Sequence, residues 1–174
     1  MSLEILSQVN NQFQSAVAFH RESADLMWFI SLDGFAALHE FQYAEESQTQ
    51  RRLKQYILTT YRTPVYDDAP TVKNIFKDQM DGKDRKNLTG TDKWTCIQKS
   101  WVEYERWETD TLALYEQCGK QLIDAGHMAD YEALAPIICD VSAELRNVSD
   151  ILNAMQGMDY DLATITSMQP ELQE

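Results

Sequence analysis

Four long segments of the chain repeat apolar residues at spacings of three and four, and no convincing strand pattern lies between them. Such spacing places the apolar side chains on one face of an α-helix. The segments cover about residues 9–31, 35–61, 93–125 and 130–156. A helix with one apolar face must bury that face, and four such helices can bury theirs against one another. The pattern therefore predicts an all-α fold, a four-helix bundle.

Residue types at the ends of these segments support the division. Asp33 follows the first segment and can cap the next helix through a free backbone N–H of its first turn. Pro64 follows the second segment and Gly126 the third, as expected at helix ends. Pro136 lies inside the fourth segment, so we expect it to kink that helix or to mark its real start.

The connection between the second and third segments is long, and only residues 71–80 within it have a helical pattern. A helix of about 27 residues is roughly 40 Å long. A connection of this size can recross that whole length, which favours a bundle with one crossover that contains a short helix. Nothing in the sequence resembles a linker, so residues 1–174 are expected to form a single domain.

Charge and hydropathy limit the partners and the location. The formal net charge of −13 would repel a polyanion, so no nucleic acid partner is expected. No apolar run is long enough to span a bilayer, and we expect no membrane association. The first residues have neither the basic flank nor the apolar core of a signal peptide, which predicts a cytoplasmic protein.

One run of residues resembles a known family. Trp28 lies near the end of the first segment, Phe35 and Leu38-His39-Glu40 lie early in the second, and Pro64 follows that segment. In this order they are similar to the ferritin-like proteins, most closely to the Dps branch, named for DNA protection during starvation. The resemblance implies a ferritin-like bundle, a role in iron binding, iron storage or stress protection, and a homo-oligomer that forms a hollow shell.

The residues that bind iron in the Dps branch are mostly absent at the matching positions. Two histidines and an aspartate of the family fall on Met27, His39 and Tyr43, so His39 is the one metal ligand that the resemblance retains. The family's Asp-x-x-x-Glu pair falls, in two possible alignments, on Arg51 and Gln55 or on Lys54 and Leu58.

The Glu-x-x-His motif of the ferritin site inside one bundle is also absent from the sequence. Iron is thus implied by resemblance, while the ligand pattern supports no cofactor and no ferroxidase activity. An enzyme is therefore not expected.

Other ionisable residues leave alternatives open. His39 is either a ligand or a hydrogen-bonded packing residue, and His20 is either a ligand or a surface residue. Four carboxylates of the third segment either line a cation path or form a solvated acidic surface: Glu103, Glu105, Glu108 and Asp110.

The middle of the second segment is polar. Stepping by three and four from Leu38 and Phe41 brings Glu45, Thr49 and Arg52 onto the inward face. Charged groups removed from water must be paired. We therefore predict an internal polar network of these three residues at the level where ferritin-like relatives hold iron. The alternative is that they face solvent or a neighbouring subunit.

Two functions remain for the chain. The first is a Dps- or ferritin-like oligomeric protein with a degenerate or rearranged iron site. The second is a structural or protein-interaction member of the fold that binds no metal. Several apolar residues exceed the needs of one bundle core and favour self-association in either case: Phe29, Phe41, Tyr66, Ile75 and Phe76.

Overall fold

The computed structural model describes residues 2–70 and 75–169, and the regular structure within these ranges is helical, with no strand. The helices are α1 (Ser2–Phe29), α2 (Asp33–Tyr61), α3 (Ile75–Met80), α4 (Gly90–Asp124), α5 (Met128–Gly157) and α6 (Leu162–Met168), with a 3₁₀ turn at Arg85–Asn87. The all-α prediction is confirmed. None of the helices in the described ranges combines the length and the apolarity that a membrane crossing requires.

Several helix ends differ from the sequence prediction. Helix α1 begins at Ser2 rather than near residue 9, because Ile5 and Leu6 are buried and continue its apolar face. Asp33 is the first residue of α2 and does not cap it, although a carboxylate there still interacts favourably with the helix dipole. Pro136 lies within α5 on its exposed side.

Of the predicted short helix, α3 forms the second part, and residues 71–74 lie outside the described residues. Gly126 ends the turn between α4 and α5 with a positive φ of 75°, a conformation that glycine adopts without steric cost.

Contacts between side chains give the directions of the helices. His20 of α1 meets His39 of α2, and Asn10 meets Gln50, so α1 and α2 are antiparallel. Phe35 and His39 of α2 pack against Trp101 and Tyr104 of α4, with ring centroids 5.1 Å and 4.8 Å apart, so these two helices are parallel. A parallel pair requires the chain to return along the bundle.

The crossover makes that return along α1 and α2. Asp67 accepts a hydrogen bond from Lys54 Nζ at 2.5 Å, in the second half of α2. Phe76 of α3 meets Phe29 at the end of α1, with ring centroids 5.2 Å apart. The chain thus passes from one end of the bundle to the other before α4 begins, as the length of the connection predicted.

The bundle core consists of two apolar clusters with a polar layer between them. Members of the cluster near the α1–α2 turn are Phe19, Leu26, Met27, Phe35, Trp101 and Leu152. Members of the cluster at the other end are Leu6, Phe13, Leu53, Ile57, Tyr115 and Leu134. Every long helix passes through both clusters, so every long helix also crosses the layer between them.

A second buried polar group lies at the far end of the bundle. Asp130 of α5 is 5% exposed and accepts hydrogen bonds from Tyr56 Oη at 2.8 Å, Tyr61 Oη at 2.5 Å and Ser2 Oγ. Burial by itself raises the pKa of Asp130, but the three hydroxyl donors outweigh burial and hold the pKa below its usual value. Asp130 therefore ties α1, α2 and α5 together.

We expect Asp130→Ala to lower the free energy of unfolding by about 2–4 kcal/mol, because the buried hydroxyls lose their shared acceptor. Urea unfolding followed by circular dichroism measures the change. Asp124→Ala is the control, since Asp124 makes an exposed ion pair with Lys120 and should change stability by about 1 kcal/mol at most. Equal losses in the two variants would contradict the structural role of Asp130.

Candidate metal centre

The polar layer between the apolar clusters is built by ionisable side chains from all four long helices. They are His20 of α1, His39 and Glu46 of α2, Glu108 of α4 and Glu144 of α5. His20 is 0% exposed, and His39 and Glu108 are each 2% exposed. Groups of this kind are seldom buried in a bundle core without a compensating partner.

Helical periodicity forces these side chains inward. On α4 the buried face runs through Tyr104, Glu108, Thr111 and Tyr115, at spacings of four, three and four. A residue between Tyr104 and Thr111 on that face cannot reach solvent without unwinding the helix. Glu108 is thus buried because its helical neighbours are core residues.

The side chains of His20, Glu108 and Glu144 converge on one point. Nε2 of His20 lies 3.9 Å from Oε1 of Glu108 and 3.8 Å from Oε1 of Glu144. The three donor atoms all lie within 4.8 Å of one another. Donor atoms that share one ion at about 2.1 Å are about 3.0–4.2 Å apart. The two distances from His20 fall in this range, and a small inward movement of the carboxylates would place all three donors around a single cation.

Nε2 of His20 and Oε2 of Glu46, two buried atoms of this layer, have no hydrogen-bond partner among residues 2–70 and 75–169. A buried polar atom without a partner costs about 1–3 kcal/mol. A cation that binds the imidazole nitrogen and a carboxylate oxygen would remove that cost.

The carboxyl groups of the layer share a shift in one direction. Burial, followed by the nearby charges of Glu144 and Glu46, raises the pKa of Glu108 well above its usual value. Burial raises the pKa of Glu144 to about 7, although the Tyr104 O–H, which donates to Oε1 of Glu144 at 2.6 Å, opposes the rise. Burial and then the charges of Glu144 and Glu45 raise the pKa of Glu46 to about 8. A nearby cation would reverse each of these effects.

The two histidines of the layer are neutral at neutral pH. Burial, and then the charge of His39, lowers the pKa of His20 well below its usual value. Burial lowers the pKa of His39 to about 3. Their Nδ1 atoms are 3.1 Å apart, so one ring donates a hydrogen bond to the other. A neutral imidazole is the form that binds a metal ion.

Imidazole nitrogen and carboxylate oxygen are donors that suit divalent first-row ions such as Fe(II), Mn(II) and Zn(II). Two carboxylates balance the charge of one such ion. The residues present at this point therefore fit a divalent cation.

A groove between α2 and α5 is lined by two carboxyl groups of the layer, Glu46 and Glu144. Its volume is about 350 Å³. Glu45, Asp140 and Arg52 also line it. The groove gives a small ion a route to the carboxyl groups of Glu46 and Glu144.

The structure places the predicted network residues differently from the sequence prediction. Glu45 and Arg52 are exposed, and Thr49 is half-buried, so they form no buried network within this chain. The prediction took Leu38 and Phe41 as markers of the inward face of α2. Phe41 is 57% exposed, so it does not mark that face.

Counting backward from Ile57 and Leu53 by four and three reaches Gln50, Glu46 and, after seven more residues, His39. That register was available in the sequence. It identifies the side chains of α2 that face the layer.

The predicted ligand His39 lies outside the group of three donors and contacts it through His20. His20, for which a surface position was one alternative, is fully buried. Among the carboxylates of α4, Glu103 pairs with Arg106 at the surface, as expected if these residues form a solvated acidic surface. Glu108 is instead buried. The signal for Glu108 was its spacing from Tyr104 and Tyr115.

No protein-family model and no curated protein sequence matches the chain. Solved structures match along almost its whole length. A glutamate-to-alanine variant of PmFTN soaked in iron overnight superposes with a TM-score of 0.77 at 11% identity, covering 97% of each chain. A glutamate-to-histidine variant soaked for 3 h gives 0.76 at 12%, covering 97% of this chain and 96% of that one.

The chain has a ferritin-like fold. PmFTN is a ferritin, and the match extends over the four long helices of this chain. At such identity the likeness shows the fold alone, and the candidate metal centre rests on the geometry of this chain.

We expect Glu46→Gln to stabilise the metal-free protein at high pH. The folded state holds the Glu46 proton up to about pH 8, whereas the unfolded chain releases it near 4.5, so stability is lost as the pH rises between these values. Glutamine cannot ionise and avoids this loss. At pH 8 the variant should exceed the wild type by roughly 1–3 kcal/mol, and at pH 5 the two should agree within about 0.5 kcal/mol.

Urea unfolding in the presence of a chelator at both pH values measures the difference. Glu116→Gln, which removes a carboxylate at an exposed position of α4, is the control. A Glu46→Gln difference that is the same at pH 5 and pH 8 would contradict the burial of an ionisable carboxyl at this position.

Proposed function

We propose that the chain binds a divalent metal ion, Fe(II) first among the candidates, between His20, Glu108 and Glu144. The observation that carries this proposal is the buried, unpartnered Nε2 of His20 facing two carboxylates from other helices at 3.8–3.9 Å. The fold and the iron-soaked crystals of PmFTN support the choice of iron over other ions.

Each residue has a distinct role in this proposal. His20 supplies the nitrogen donor, and Glu108 and Glu144 supply oxygen donors and the charge that balances the ion. Glu46 lies beside Glu144, whose charge contributes to its raised pKa, and a cation in the site would favour loss of the Glu46 proton. Tyr104 holds Glu144 in place through its hydrogen bond of 2.6 Å.

The proposed site is a rearranged one. In the Dps branch, iron lies between two subunits, whereas all three donors here come from one chain. The role that we propose is iron binding or storage, without ferroxidase activity. We also propose that this Dps- or ferritin-like protein takes part in stress protection and is located in the cytoplasm. We propose no nucleic acid partner for it.

Titration of the metal-free protein with Fe(II) under anaerobic conditions tests the proposal. We expect at least one bound ion per chain by mass spectrometry of the loaded protein. The double variant Glu108→Gln/Glu144→Gln should bind at least tenfold more weakly, which corresponds to about 1.4 kcal/mol, because it loses both charges that face the ion.

His127→Gln and Glu116→Gln serve as controls, since they remove a partly exposed histidine and an exposed carboxylate away from the centre. Wild-type protein that binds no Fe(II) would leave the alternative, a structural or interaction protein with a ferritin-like fold. Undiminished binding by the double variant would place the ion elsewhere.

We also propose that the chain assembles with itself. Trp28 is 58% exposed, Phe41 57% and Tyr66 80%. Large exposed aromatic side chains are typical of protein contacts. A homo-oligomer would cover them, and a hollow shell is the form that the family resemblance implies.

Light scattering at micromolar concentration should give a mass well above the 20.1 kDa of one chain. Replacing Trp28 and Phe41 together by glutamate should reduce that mass, because charged side chains would be buried in the contact. The matched control replaces Val102 and Ile123, which are also exposed, by glutamate. A wild type that is monomeric throughout would remove the shell from this proposal.

A further inference from the structure

The pair formed by His20 and His39 has a direction that decides how His20 can bind an ion. With Nδ1 atoms 3.1 Å apart and both rings buried, one Nδ1 carries a hydrogen and the other accepts it. If His39 donates, the hydrogen of His20 sits on Nε2 and points at the carboxyl groups. If His20 donates, its Nε2 presents a lone pair to them.

Only the second arrangement leaves Nε2 of His20 able to bind a cation. Nε2 is the atom that lies 3.8–3.9 Å from the Glu108 and Glu144 oxygens. Nδ1 is turned away toward α2. The position of His39 thus matches that of the hydrogen-bond acceptor that commonly orients a metal-binding histidine.

We propose that His39 is a positioning residue that accepts the Nδ1 hydrogen of His20 and so directs the Nε2 lone pair at the ion. This inference rests on the proposed metal site. His39 does not itself touch the ion, and it acts through His20.

The surroundings of His39 hold its ring in the required orientation. Its centroid lies 4.8 Å from the ring of Tyr104 and 6.2 Å from the ring of Trp101. Tyr104 also packs edge-on against His20, with centroids 5.4 Å apart, and donates its hydroxyl hydrogen to Glu144. One aromatic residue therefore contacts both histidines and one carboxylate, which fixes their relative positions.

The acceptor is a neutral imidazole, whereas many metal-binding histidines donate to a carboxylate. A neutral acceptor orients the ring without adding a further negative charge to a layer that already holds three carboxyl groups. The residue type at position 39 is thus suited to a crowded acidic centre.

Two substitutions of His39 separate orientation from packing. His39→Asn keeps an acceptor oxygen near the place of Nδ1, and His39→Leu fills the space without an acceptor. With Zn(II) and Fe(II) as probes, we expect affinity within about threefold of wild type for Asn and a loss of roughly 10- to 100-fold for Leu. His127→Leu is the control and should bind as wild type does.

Long-range ¹H–¹⁵N correlation spectra of histidine-labelled, Zn(II)-loaded protein report the tautomer directly. We expect His20 to carry its hydrogen on Nδ1 in the wild type and in His39→Asn. This readout uses the wild type and His39→Asn, so it can overturn the role of His39 even if His39→Leu does not fold.

The outcomes distinguish the two proposals. Wild-type protein that binds neither ion overturns the metal site, and this inference with it. Metal binding with His20 attached through Nδ1, or equal affinity in a folded His39→Leu variant, overturns the role of His39 alone. Loss of affinity in His39→Asn equal to that in His39→Leu, with wild-type stability, also overturns it, because the acceptor would then not matter.

Discussion

The burial of ionisable side chains between two apolar clusters is the constraint on which the rest of the structure depends. Removing a charge from water is costly, and the cost falls when the charge is neutralised or paired. In this bundle burial raises the pKa values of Glu46, Glu108 and Glu144. A bound proton then neutralises each carboxyl group in the absence of a positively charged partner. A bound cation would also neutralise the carboxylates, and it would hold its ligands in a fixed geometry. The layer would then join three helices instead of destabilising the fold.

The apolar clusters make this layer possible. They close the bundle on both sides, with Trp101 and Phe35 in one cluster and Leu53 and Tyr115 in the other. Because the helices are held at both ends, the polar side chains between them cannot escape to solvent by a local shift. Pre-organisation of this kind is what a metal centre requires, since its donors must stay in place before the ion arrives.

The family resemblance suggested His39 as a metal ligand, and the structure places His39 beside the candidate centre. His39 belongs to a matching run of residues, and it does lie in the polar layer, where it contacts His20 rather than the group of three donors. The donor set instead draws on α1, α4 and α5, outside the matching run. A short run of matching residues can thus indicate a fold without fixing which residues carry the chemistry, in line with the general independence of fold and function.

The sequence by itself determined the helices, their order and the crossover, because the apolar period and the helix-ending residues are local properties. Even the inward register of α2 could be read from Leu53 and Ile57. The convergence of His20, Glu108 and Glu144 was decided only by the tertiary structure. These residues are far apart in the chain, and each periodic stripe indicates which side chains face inward, not which of them meet. Their meeting depends on the relative shift of the helices along the bundle axis, which the packing of the two apolar clusters sets.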